Sequence, residues 1–164
     1  MSAFGFRRVT AAAFVVLGFA ALEAAAGPAE IAQIKPRQDK LRDMGGALKA
    51  INDDIKRGRI DWENTVIPNA QTIKDRSGYL LNWFPKGSGP ETGKKTYALP
   101  AIWQKNDQFQ KLGKAMQVEA AKLNEIVLKK DEAGLKAQVL AAGKSCKACH
   151  DDFRSPDYEK ENEE

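Results

Sequence analysis

The 164-residue sequence is poor in the side chains that most often bind metals, with one histidine, two cysteines and three methionines. A zinc site usually needs a second histidine or further thiols, so this composition argues against one. No run of basic residues is present, and the sequence therefore gives no signal for nucleic-acid binding. No alternation of apolar and polar residues extends far enough to predict a β-sheet.

Residues 1–26 have the pattern of a secretory signal peptide. Arg7 and Arg8 form a basic region, residues 9–22 are free of charge and mostly apolar, and residues 24–26 are alanines. Small residues after an apolar stretch are typical of a signal peptidase site. The apolar stretch is short for a membrane span, although an uncleaved anchor is the alternative. We predict export, with no membrane span after cleavage.

The mature chain is expected to be one domain with a nearly balanced charge. Removal of Arg7, Arg8 and Glu23 with the signal peptide leaves 24 basic and 21 acidic residues, a net charge of +3. About 138 residues remain, which matches the usual size of one domain. Residues 27–156 are predicted to fold as that domain. Residues 157–164 are predicted to form an acidic tail that extends into solvent.

Apolar residues recur at helical spacing in four segments of the mature chain. These segments are residues 30–56, 61–84, 100–128 and 133–154, and residues 85–100 form the longest loop. Pro36 and Pro68 lie inside the first two segments, where each removes a backbone hydrogen bond. Gly58 marks the end of the first segment. The pattern predicts an all-α fold, an antiparallel up-down four-helix bundle.

The fourth segment contains Cys146-Lys147-Ala148-Cys149-His150, the spacing typical of covalent haem c attachment. Residues three apart on a helix share a face, so both thiols can reach the vinyl groups on one side of a porphyrin. The adjacent imidazole is then placed to bind the iron. The motif predicts one covalently bound haem c, with Cys146 and Cys149 as its attachment points and His150 as the metal ligand.

Other uses of the two cysteines fit the sequence less well. A disulfide between residues three apart joins nothing distant in the chain. A redox-active cysteine pair of the thioredoxin kind is expected after a strand in an α/β pattern, which this sequence lacks. Because His150 is the only histidine, two histidines cannot bind the iron. The sixth position must therefore hold a methionine, another weak donor, an exogenous molecule or nothing.

Three blocks of the sequence together resemble the class II cytochromes c, the family of cytochrome c′ and cytochrome c-556. The first covers residues 37–46, Arg-Gln-Asp-Lys-Leu-Arg-Asp-Met-Gly-Gly, and the last covers residues 146–154, Cys-Lys-Ala-Cys-His-Asp-Asp-Phe-Arg. Between them, residues 83–85 and 98–103 resemble the family's long loop and the start of its third helix. Members of this family are familiar examples of up-down four-helix bundles.

The resemblance implies roles for further residues around the haem. Leu41 occupies the position that faces the iron, where c-556-type members carry a methionine ligand. The sixth site should then be vacant and apolar, as in cytochrome c′, with the iron five-coordinate. Met44 lies three residues further on and is either a core side chain or a competing ligand. By the same resemblance, Arg37 and Gln38 should lie near the haem propionates.

The resemblance also places residues from the loop and the last helix beside the haem. Tyr97 and Ala98 should approach its rim, and Arg154 should lie on the His150 side, one turn beyond that ligand. Gly45 and Gly46 cost helix stability relative to alanine, so we expect them to allow close approach of haem or of another helix, with a local bend as the alternative.

The function implied by this resemblance is single-electron transfer in the periplasm, with redox proteins as partners. The alternative is a haem protein that binds nitric oxide or carbon monoxide at a vacant site under Leu41, for scavenging or sensing. Enzymatic activity is not predicted, because Leu41 supplies no acid–base group. Class II members are often dimers, and a homodimer could form through the face that carries Ile34, Leu41 and Leu48.

Overall fold

The computed structural model describes residues 27–162. The predicted signal peptide, residues 1–26, lies outside the described residues. Within residues 27–162, no helix is both long enough and apolar enough to cross a membrane.

Four long helices form the body of the protein. They are α2 (Ile34–Arg57), α3 (Ile67–Gly78), α5 (Asn106–Leu128) and α6 (Glu132–Phe153). Each packs against the next along the chain, and α6 returns to pack against α2. The predicted all-α, antiparallel up-down four-helix bundle is confirmed, and residues 27–162 contain no β-strand, only one isolated bridge.

The first predicted segment is divided by a turn near its start. A short helix α1 (Pro28–Ala32) is followed by Gln33 and then by α2. Pro36 has no N–H to donate to the carbonyl of Ala32, so the regular ladder cannot run through this point. The predicted stop is confirmed, since Gly58 caps α2 in the left-handed conformation with φ 63°.

The second predicted segment also differs from one continuous helix. The Asp61 side chain accepts a hydrogen bond from the Asn64 N–H, and a wide turn of π-helix then covers Trp62–Val66. Pro68 lies in the first turn of α3, where its missing N–H is tolerated. A 3₁₀ turn, Leu80–Trp83, follows α3.

The third segment begins with a separate short helix, α4 (Ala101–Gln104), as expected after Pro100. Lys105 has a non-helical backbone, with φ −114° and ψ 46°, and separates α4 from α5. The last connection is short, and the Asp131 side chain caps α6 by accepting from the Gly134 N–H.

Two apolar clusters make up the core. The larger lies between the four long helices and includes the fully buried Ile51, Val66, Leu123 and Leu135. The smaller contains Ile102, Phe109 and Phe153 and joins α4, α5 and α6. Cys146 packs against the larger cluster and Cys149 against the smaller. The cysteine motif therefore lies where the two clusters meet.

The first six residues of the acidic tail do not fray as expected, although most of their described side chains are exposed to solvent. They form a short helix, α7 (Asp157–Asn162). The Tyr158 ring packs edge-to-face on Tyr97, with centroids 5.1 Å apart, and Glu159 pairs with Arg154 at 2.7 Å. These contacts hold the tail against the body of the protein, which its polar composition did not indicate.

Candidate haem site

The motif residues lie in the last two turns of α6. Cys146, Cys149 and His150 are all half-buried, and all three border one cavity. The helix ends immediately afterwards, with the Arg154 N–H donating to the His150 carbonyl at 3.0 Å. The spacing of three and then one residue thus places two thiols and an imidazole on the same wall, as the sequence predicted.

The cavity has a volume of about 540 Å³ and lies between α2, α5, α6 and the long loop. Its walls are largely apolar, with Leu41 and Met44 from α2, Met116 from α5 and Phe153 from α6. Ligand pockets in proteins typically measure about 300–1,000 Å³ and have apolar walls with few polar groups. The cavity therefore suits a large, mostly apolar group held from α6.

Gly45 and Gly46 form part of the wall contributed by α2. A Cβ atom built on either residue would meet no atom outside its own helix surroundings within 4 Å. No other helix approaches them, so that part of our expectation is wrong. The open space is consistent with glycines that leave room for the bound group, and a local bend of the helix is the alternative.

The charged side chains that border the cavity are all basic. They are Lys35, Arg37, Arg42, Lys95 and Arg154, and no aspartate or glutamate is among the described lining residues. A group that carries carboxylates, as haem does in its two propionates, would find cationic hydrogen-bond donors at this wall.

Burial controls the protonation of the motif before any group is attached. It raises the pKa of the Cys146 thiol and, with smaller contributions from Cys146 and Asp152, raises the pKa of Cys149 to about 11. Burial, aided by Arg154, lowers the pKa of His150 to about 4. At neutral pH the imidazole is therefore uncharged and has a nitrogen lone pair available for a metal.

Comparison with known proteins agrees with this geometry. The family model for cytochrome C′ matches residues 32–154. The chain belongs to the cytochrome c′ family. Cytochrome c′ from Rhodopseudomonas palustris is 35% identical over 150 residues, which cover 91% of this chain and 96% of that protein. The predictions of a class II cytochrome c and of covalently bound haem c are confirmed.

Solved structures of cytochromes c′ share the fold. The crystal structure from Thermochromatium tepidum superimposes with a TM-score of 0.72 and 22% identity, covering 80% of this chain and 99% of that one. The nitric oxide complex of a leucine-to-isoleucine mutant from Alcaligenes xylosoxidans has a TM-score of 0.66 and 26% identity. That match covers 75% of this chain and 94% of that one.

Among the described residues of this cytochrome, Arg37 is the most deeply buried charge, with 2% of its surface exposed. Its guanidinium donates to the Ser88 hydroxyl and carbonyl, both at 2.7 Å, and to the Thr96 hydroxyl at 2.9 Å. It also lies 4.8 Å from the centre of the Phe84 ring. Arg37 borders the haem cavity as expected, but the contacts it makes attach the long loop to α2.

Gln38 lies beside Arg37 on the cavity wall and is likewise bonded to the loop. Its amide nitrogen donates to the Lys95 carbonyl at 3.1 Å. Contact of Arg37 or Gln38 with a propionate stays a prediction. Ser88 and Thr96 were not singled out from the sequence, because small hydroxyl residues in a loop carry no local signal of a partner more than 50 residues away.

Leu41 borders the cavity from α2 and is half-buried, while Met44 is 7% exposed and borders the same cavity. Met116 lies on the α6 side of α5. Its sulfur accepts a hydrogen bond from the Ser145 hydroxyl at 3.0 Å and is 3.6 Å from the Cys146 sulfur. Both methionines are thus part of the apolar wall, and the sulfur of Met116 contacts residues of α6.

The loop and the end of α6 are joined through their backbones. Ala98 and Arg154 form an antiparallel bridge, and the Ser155 N–H donates to the Tyr97 carbonyl at 2.7 Å. Tyr97, Ala98 and Arg154 all border the cavity, and their contact with haem stays a prediction. Tyr158 borders it too and was missed, because it lies in a tail that was expected to be disordered.

Proposed function

We propose that this cytochrome is a periplasmic mono-haem protein that transfers single electrons to and from redox partner proteins. Cys146 and Cys149 form the thioether bonds to the haem, and His150 is the only protein ligand of its iron. The observation that carries this proposal is the convergence of both sulfurs and the imidazole on one apolar cavity of suitable size.

Haem c, when bound, supplies an iron that gains and loses one electron reversibly. The protein's own contribution is to hold that group rigidly in an apolar site. Both cysteines project from one helix, and the backbone bridge between Ala98 and Arg154 ties that helix end to the loop. A site held in this way undergoes little rearrangement when its charge changes, which suits electron transfer better than substrate chemistry.

The side chain of Leu41 supports a five-coordinate iron. It borders the cavity from α2, whereas His150 borders it from α6. A leucine side chain has no donor atom, and the chain has no second histidine. Leu41 also offers no acid–base group at the position expected to face the iron, so we propose no enzymatic activity.

A second function, binding of nitric oxide or carbon monoxide, has one specific observation in its favour. A structure of the related Alcaligenes xylosoxidans cytochrome contains nitric oxide and a substituted leucine. Leu41 borders the cavity in the chain described here. An iron position left open under Leu41 would accept such a small ligand.

The coordination is tested with the ferric, haem-loaded protein by electron paramagnetic resonance and visible absorption. We expect a high-spin spectrum that Met44→Ala leaves unchanged. Leu41→Met should convert the protein towards a six-coordinate, low-spin form. A low-spin spectrum with a methionine–iron charge-transfer band that disappears in Met44→Ala would show instead that Met44 binds the iron.

Attachment is tested separately by haem staining of a denaturing gel. Replacement of Cys146 and Cys149 together by alanine should abolish the stained band, while Ser145→Ala, a neighbouring change in the same helix, should keep it. A stained band in the double variant would contradict the assignment. Addition of nitric oxide to the ferrous protein, with Leu41→Ala as the comparison, then tests the second function.

A further inference from the structure

The last helix of the chain packs against the cavity wall close to His150. Tyr158 borders the cavity, and its ring lies at 88° to that of Tyr97. The guanidinium of Arg154 lies 4.5 Å from the centre of the Tyr158 ring. Arg154 follows His150 by four residues, which is one helical turn. Helix α7 therefore covers the end of the cavity at which the iron ligand lies.

The same helix brings two carboxylates to two of the basic residues that border the cavity. Glu159 pairs with Arg154 at 2.7 Å. Glu161 pairs with Lys95 and also accepts a hydrogen bond from the Tyr97 hydroxyl at 2.7 Å. Each cation on this part of the rim thus has an acidic partner from α7, and the net charge of the four side chains is zero.

We propose that α7 is an electrostatic cap over the His150 end of the haem cavity, which slows the approach of anionic electron donors. The proposal rests on the haem-binding function proposed above. With the cap in place, Lys95 and Arg154 are neutralised by Glu161 and Glu159. Without those two carboxylates, the rim would present two positive charges beside the group that receives the electron.

The two ion pairs of the cap are open to competing charge. The side chains of Lys95 and Glu159 are 70% and 61% exposed, so both ion pairs are open to solvent and to salt. Exposed ion pairs are weak and are screened by ions. The packing of Tyr158 between Tyr97 and Arg154 then provides the more durable part of the contact.

The test compares two small reductants with opposite charge on the ferric, haem-loaded protein. Dithionite supplies the sulfur dioxide radical anion, which gives one electron to one ferric iron and leaves as sulfur dioxide. Hexaammineruthenium(II) is a cation that likewise gives one electron and becomes hexaammineruthenium(III). Their reduction rates are measured by stopped-flow absorption for the unchanged chain and for the double variant Glu159→Gln with Glu161→Gln.

We expect the double variant to react faster with the anion and more slowly with the cation. Two charges at about 10 Å from the approaching ion change the rate about fourfold for the singly charged anion and about sixteenfold for the doubly charged cation at low salt. This change in rate should become smaller when the ionic strength rises to about 0.5 M, because the Debye length then falls to a few ångström. Tyr158→Ala, which releases the ring packing, should move the anion rate in the same direction.

The matched control removes the same charge from the end of the bundle where α5 leads into α6. Glu125→Gln with Glu132→Gln changes two exposed carboxylates, and Glu132 lies 18 residues, or about 27 Å along the helix, from His150. This pair should leave both rates unchanged. Every variant is first shown to hold covalent haem by its absorption spectrum. Equal rates for the Glu159 and Glu161 variant and the unchanged chain would overturn the cap while leaving the haem assignment intact.

Discussion

The hydrogen bonds of Arg37 make a quantitative prediction about what holds the long loop in place. The side chain is buried and contacts Ser88 and Thr96, residues that are more than 50 positions away in the chain. We consider Arg37→Met, which keeps a long apolar side chain and removes the charge and all three bonds. Ser88 and Thr96 then lose the bonds that Arg37 donates, while Ser88 keeps its bond to the Pro85 carbonyl and Thr96 keeps the bond from the Ala98 N–H.

The expected loss follows from two opposing effects. Three hydrogen bonds from a charged donor contribute about 5 kcal/mol when each is taken near the low end of its range. Burial lowers the pKa of Arg37 from 12.5 to about 10, against a smaller opposing effect of Glu91. That shift corresponds to a cost of about 3 kcal/mol for the buried charge. The difference predicts a loss of about 2 kcal/mol in the free energy of unfolding.

Arg37→Lys separates the bonds from the charge. Lysine keeps a buried cation but has no planar fork, so it cannot reproduce all three bonds. It should therefore destabilise the protein more than methionine does. Lys35→Met, a change to a cation that is 72% exposed on the same helix, should cost less than about 0.5 kcal/mol.

The assay is urea unfolding of the haem-loaded protein, followed by far-ultraviolet circular dichroism and by haem absorption. Proteolysis in native buffer adds a local measurement, because cleavage within residues 85–100 should accelerate in both Arg37 variants. An Arg37→Lys protein as stable as the unchanged chain would refute this account of the loop. A methionine variant of unchanged stability would do the same.

Three further predictions concern other parts of the chain. Asp54 accepts from the Asp61 N–H at 3.0 Å and pairs with Arg57, contacts that lower its pKa. The ionised Asp54 carboxylate stabilises the folded protein above its ordinary pKa of 3.8, and this stabilisation is lost as the pH falls through the lower pKa of the folded state. The decrease in the free energy of unfolding caused by Asp54→Asn, measured by urea unfolding, should therefore become smaller in acid. Gly58→Ala should lower the stability of the protein by about 1–2 kcal/mol because φ is 63° at this residue. Gly78→Ala, where there is open space for the new Cβ, should not lower it, and thermal unfolding compares the two variants. The intact mass of the exported protein should equal residues 27–164 plus one haem, and a mass that includes residues 1–26 would indicate an uncleaved anchor.

The helices and the chemical motif were predictable because their signals are local. Apolar spacing identified four segments, and Cys146, Cys149 and His150 carry their chemistry within five residues. The breaks at Gln33 and Lys105 were harder to place. The first results from a proline three residues later, whereas Lys105 has no helix-breaking side chain of its own. Element boundaries depend on such details of the backbone more than on composition.

Most of the contacts that the sequence did not reveal join residues that are distant in the chain. The local sequence around Arg37 is that of an ordinary helix, and only the fold shows that the loop carrying Ser88 packs against this side chain. Tyr158 lies in an acidic, polar stretch, and only the fold brings it to Tyr97 and to the cavity. Periodicity reports which face of a helix is apolar, but it does not report which loop packs on the end of the bundle.

The cavity also has a consequence for folding. An empty, dry space of 540 Å³ would cost about 13 kcal/mol at about 24 cal/mol per Å³, as large as the whole stability of a typical domain. Before attachment, the chain must therefore admit water against Leu41, Met44 and Phe153 or let its helices close inward. In the proposed site, haem would complete the hydrophobic core as well as supply the iron, and delivery of the cofactor would then be a step in the folding of the protein.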